Sequence, residues 1–93
     1  MQELTIIQQA VLRAAKECVE RNPNRQCEFG CYQTYEDYMF TSVLVRDLVD
    51  ADMDKVENTV KALENLGFFR QLGVFVYCIT KGGVDYICDN LPD

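Results

Sequence analysis

An α+β fold, mostly helical and carrying a short two- or three-stranded antiparallel hairpin, is predicted by three features of this chain. Val56, Val60, Leu63 and Leu66, with Thr59 alongside, recur at helical spacing, and Gly67 follows where a helix commonly ends in a left-handed residue. Residues 68–71 and 74–80 are then rich in aromatic and β-branched side chains and flank Leu72-Gly73, which reads as two strands and a tight turn. Far upstream, Leu4, Ile7, Val11, Ala14 and Cys18 alternate at three and four residues, the pattern of a helix with one apolar face.

Taken in order, that first helix is expected over residues 3–20, stopping before Asn22-Pro23-Asn24, with Arg21 and Arg25 suited to the negative end of its dipole. Residues 22–33 read as loop, punctuated by Pro23 and Gly30. The segment 32–40 is crowded with aromatics. Thr34 and Asp37 have the spacing of a capping box for a helical turn, and Met39-Phe40 reads equally well as a brief strand. Tyr32, Tyr35 and Tyr38 would share one side of such a turn, either as a cluster covering the core or as a dimer or partner surface. Thr41 or Ser42 can cap a second helix with Val45, Leu48 and Val49 inward. Residues 50–52 form a turn whose Asp52 caps the third helix, 53–66, and residues 82–91 form a last helix presenting Val84, Ile87, Cys88 and Leu91.

Ninety-three residues accommodate a single domain over 1–93, and 48% apolar content is enough to build its core. The N-terminal residues lack the charged region and cleavage site of a signal peptide, and no apolar run approaches a membrane span of about 20 residues. A soluble cytoplasmic protein is the expectation. Five cysteines then read as free thiols, with Cys18, Cys78 and Cys88 on core faces. Cys27 and Cys31, in the loop, are a candidate disulfide should the surroundings be oxidising. With no histidine, a zinc site would need four thiolates from separate elements, so no metal or other cofactor is expected. Nor is there a phosphate-cradling glycine loop, or a visible base to activate a cysteine, which points away from an enzyme. The carboxylates Glu36, Asp37, Asp50, Asp52 and Asp54 read as helix caps and solvated surface.

Residues 63–69 (LENLGFF) followed by 79–83 (ITKGG) resemble the pattern of winged helix-turn-helix regulators of the MarR and PadR kind, over about residues 41–91. The resemblance implies a reading helix that enters the major groove and a hairpin wing that touches the DNA backbone or minor groove. It implies a transcription regulator that binds duplex DNA as a homodimer, pairing through the first or last helix. Carried onto this chain, the DNA-binding positions would be Lys55, Asn58, Thr59 and Lys61, with Arg70 and Gln71 at the wing. The net charge of −6 and the acids Asp54, Glu57 and Glu64 on the same helix frame the alternative. That alternative is an acidic protein-interaction module, of the kind a phage or virus could use as an antagonist or nucleic-acid mimic.

Overall fold

The computed structural model describes residues 3–23, 25 and 27–91. Four helices and one three-stranded antiparallel sheet follow one another as α1 (Ile6–Glu20), a 3-10 turn (Tyr35–Tyr38), β1 (Met39–Thr41), α2 (Ser42–Val49), α3 (Met53–Asn65), β2 (Phe69–Gly73), β3 (Val76–Ile79) and α4 (Lys81–Asn90). Each helix begins on a side-chain cap. Thr5 forms a complete capping box with Gln8, while Thr41, Asp52 and Thr80 accept from amides in the first turns of α2, α3 and α4. A cap of this type is worth about 1 kcal/mol. The Thr34 hydroxyl caps the 3-10 turn, and β1 follows directly, so the helical turn and the brief strand are both present.

The sheet runs in the order β1-β3-β2, with Phe40 opposite Tyr77 and Phe69 opposite Ile79. The hairpin turn lies at Val74-Phe75, two residues beyond the Leu72-Gly73 turn expected from sequence. Its register slips between Gln71 and Gly73, and the left-handed position falls on Phe75, at φ 61°. Bulky residues rarely adopt that conformation. The Phe75 carbonyl accepts the Ser42 amide at 2.9 Å, which ties the turn to the start of α2.

Helices α1, α2 and α3 pack around Val11, Leu12, Val45, Val56, Val60 and Leu63, all fully buried, and the sheet closes the core with Phe40, Phe69, Tyr77 and Ile79. Burying a side chain such as Leu63 contributes roughly 2 kcal/mol. The stripe around Leu63 thus shares the core with Phe69, whereas Phe75 stays exposed at the turn. The inward face of α1 is wider than its sequence pattern, adding Leu12, Ala15 and Val19. Leu48 and Cys88 sit at the margins of their helical stripes and are exposed, contrary to expectation.

Helix α3 ends in a Schellman arrangement. The Gly67 amide, at φ 89°, donates to the Glu64 carbonyl at 2.9 Å, and the Phe68 amide donates to the Leu63 carbonyl at 3.0 Å. That reversal launches β2. At the far end of the hairpin, the Thr80 hydroxyl accepts the Gly83 amide at 3.1 Å and donates to the Gly67 carbonyl. Gly83 itself packs so close to β2 that a Cβ there would lie 2.3 Å from the Phe68 carbonyl oxygen. The Thr-x-x-Gly step is therefore a seat for α4 against the entry to the hairpin. No helix among the described residues is long and apolar enough to cross a membrane.

Candidate nucleic-acid interface

With Val56, Val60 and Leu63 facing the core, helical geometry turns Lys55, Asn58, Lys61 and Asn65 outward, and all four are exposed. Thr59 does not join them. It lies within the buried stripe, and its hydroxyl donates to the Lys55 carbonyl at 2.8 Å, so it is a core residue and not a groove-facing one. Position 59 stands three residues after Val56 and four before Leu63, which forces it inward.

The acids of α3 are not displayed as its sequence suggested. Glu57 is gripped from behind. The Ser42 hydroxyl donates to Oε1 at 2.7 Å and the Tyr77 hydroxyl to Oε2 at 2.9 Å. Glu64 reaches the edge of the hairpin and accepts the Gln71 amide at 3.2 Å, satisfying an otherwise unpaired donor of an edge strand. Asp54 alone of the three is exposed, in the first turn, where it suits the helix dipole. Burial pushes the Tyr77 hydroxyl up to about 12, with its hydrogen bond to Glu57 and the charges of Glu57 and Glu64 adding to the rise. Neither Ser42 nor Tyr77 was recognisable from sequence as a carboxylate holder. Ser42 had an ordinary capping role available, and Tyr77 lies twenty residues from Glu57.

The two wing positions separate. Strand alternation sets Phe69, Gln71 and their partners Ile79 and Tyr77 on the α3 side of the sheet, and sets Arg70 with Cys78 on the opposite face. Arg70 is exposed there, and its charge partly offsets the upward push that burial gives the Cys78 thiol and the Tyr32 hydroxyl. It therefore does not extend a cationic surface from Lys61. Gln71 is exposed on the α3 side, but its amide group donates to the Gly73 carbonyl at 3.3 Å.

The three tyrosines also part company. Tyr38 is fully buried, stacked on Tyr32 at 5.0 Å and met edge-on by Phe29 at 5.4 Å. Its hydroxyl accepts the Gly30 amide at 3.1 Å and donates to the Cys31 carbonyl at 2.9 Å. Burial pushes it up to about 12. Tyr38 is thus an internal post for loop 27–33 and not an interaction surface. Tyr32 is half-buried against it, and only Tyr35 faces solvent. Cys27 and Cys31 stand as free thiols in this structure, with the Cys27 Sγ donating to the Cys31 carbonyl at 2.6 Å. Among the described residues, no group of three or more cysteines and carboxylates is arranged to hold a metal ion.

A second surface feature had no counterpart in the sequence reading. A groove of about 520 Å³ opens between the end of α1, the strand β1 and the outer side of α2. Its lining includes the apolar Met39, Phe40, Leu44, Leu48 and Val76, with Thr41, Asn22 and the charged Arg21 and Asp47 among them. The spacing of Leu44 and Leu48 signals a shared helical face, but nothing local says that this face stays uncovered. Compared with models of known protein families, with curated proteins and with solved structures, the chain matches none.

Proposed function

We propose that this is a small winged-helix protein that binds duplex DNA as a homodimer and regulates transcription, with α3 as its reading helix. The element order, with β1 pairing onto a hairpin that follows α3, accords with the winged-helix resemblance. One observation carries the reading. Glu57 and Glu64 are engaged by Ser42, Tyr77 and the Gln71 amide, which leaves Lys55, Asn58, Lys61 and Asn65 as the exposed side chains of α3 together with a single acid, Asp54. Asn can pair with the adenine edge in the major groove, and the two lysines can meet phosphates. Interaction at such a contact depends on local charge, because the Debye length is about 8 Å at physiological salt.

Fluorescence anisotropy with labelled duplexes at low salt tests this. Lys61→Glu weakens binding to all sequences alike, and Asn58→Ala relaxes base preference. Absence of binding to every duplex, including the region upstream of its own coding sequence, rejects the reading. A second reading, a winged-helix protein-interaction module that does not bind DNA, is favoured by the hairpin tip. That tip presents Val74 and Phe75, both exposed, where a DNA-binding wing would carry cations. A cytoplasmic location is part of either proposal.

A further inference from the structure

We propose that the groove between α1, β1 and α2 is the surface through which two copies of this chain associate about a two-fold axis. Leu44 is 52% exposed and Leu48 38% exposed, and they line the groove together with Met39, Phe40 and Val76. A continuous apolar patch edged by polar residues marks a site of association. Its charged lining residues point to the occupant. Arg21 stands at the end of α1 and Asp47 on α2. Arg21 pairs with Glu17 at 2.7 Å and Asp47 with Arg46 at 3.3 Å, both solvent-exposed pairs of a kind that contributes little.

In a two-fold contact residue i meets residue j of the partner while j meets i. A groove with a cation on one element and an anion on another can therefore be complementary in charge to a second copy of itself. A basic protein or a nucleic acid would be matched by charges of a single sign. The helices expected from sequence to pair offer less. The apolar residues Val84, Ile87 and Leu91 at α4, and Val11, Leu12, Ala15 and Val19 of α1, are buried in the core, leaving Ile6 as the exposed large apolar side chain of those two helices. No residue lining the groove belongs to α3 or β2, so association here leaves the outward face of α3 uncovered. This inference rests on the homodimer part of the reading above and not on DNA binding.

Sedimentation velocity over a concentration series, with circular dichroism to confirm folding, tests it on four samples. These are the wild-type chain, Arg21→Glu, Asp47→Arg, and an equimolar mixture of the two variants. The wild-type chain is expected to dimerise. Each variant alone sets like charges against each other twice and raises the dimer Kd by about tenfold or more. In the mixture both contacts regain opposite charges, so a heterodimer forms with close to wild-type affinity. A wild-type chain that stays monomeric overturns the proposal. So do single variants that dimerise like wild type, or a mixture that associates no better than its components. Anisotropy on the same samples separates the two ideas. DNA binding by a monomeric wild type removes this interface and keeps the reading helix, whereas a charge-responsive dimer that binds no duplex does the reverse.

Discussion

The adjacent glycines at the start of α4 are expected to respond to alanine with opposite signs. A Cβ on Gly83 would lie 2.3 Å from the Phe68 carbonyl oxygen and 2.8 Å from the Ile79 Cγ2 atom. Carbon and oxygen settle no closer than about 3.3 Å, so the helix must retreat by about 1 Å. That retreat pulls on the Thr80 amide, which donates to the same Phe68 carbonyl at 2.9 Å, and on the Thr80 cap of the Gly83 amide at 3.1 Å. Overpacking costs roughly 1–3 kcal/mol and a weakened cap about 1 kcal/mol, against a gain of about 0.5–1 kcal/mol from removing a helical glycine. Gly83→Ala should therefore lose about 2 kcal/mol, which for a domain of this size lowers Tm by roughly 8–16 °C. At Gly82 the nearest atom to a new Cβ is the Gly67 carbonyl oxygen at 3.7 Å, ordinary contact. Gly82→Ala should gain up to about 1 kcal/mol. Urea unfolding followed by circular dichroism measures both. A Gly83→Ala protein as stable as wild type, or two shifts of the same sign, would refute the account of how α4 is seated.

Tyr77 and Tyr38, both pushed up to about 12 from an unfolded value near 10, hold their protons more tightly when folded. Their stabilisation is complete below about pH 10 and is lost as pH rises toward 12, about 3 kcal/mol for each, with the buried thiols of Cys18 and Cys78 acting in the same direction. Urea midpoints should fall over that window, and Tyr77→Phe should flatten the fall; an unchanged alkaline limb counts against burial of the phenol. Asp54→Asn should tighten duplex binding about two- to threefold in anisotropy, since Asp54 is exposed, whereas Glu57→Gln should leave affinity nearly unchanged while lowering the urea midpoint. Equal tightening by both would mean that Glu57 shares the reading face. Thr5→Ala removes the hydroxyl acceptor of the Gln8 amide, while the backbone amide of residue 5 can still donate to Gln8 Oε1, and should cost about 1 kcal/mol in the same unfolding assay; no loss would mean that the hydroxyl cap is dispensable.

What the sequence could convey follows the range of the forces involved. The stripe of α3 and its Gly67 stop were legible because both are encoded within a few residues and enforced by helix geometry. The hairpin was legible as a pair of strands, but its turn was not. Leu72-Gly73 has the better turn composition, and the chain instead spends Gly73 in an irregular pairing and places Phe75 in the left-handed conformation. The side occupied by Arg70 could have been read from alternation, given that Phe69 faces the core. The tethering of Glu57 could not, since its two partners come from residues fifteen and twenty positions away. Leu48 and Cys88 mark the same boundary, because a residue at the flank of a helical stripe is buried or bare according to neighbours that only tertiary packing supplies.

Tyr38 gives the segment before β1 an unusual dependence. Residues 27–33 contain no helix or strand, yet two of their backbone groups are satisfied by one phenol carried at the end of the 3-10 turn, next to β1. Exchange of the Gly30 amide with solvent is therefore expected to require the departure of that ring. Lengthening it by even one residue would misalign the peptide groups with that ring, so a segment that looks as permissive as any surface connection tolerates insertion as poorly as a strand.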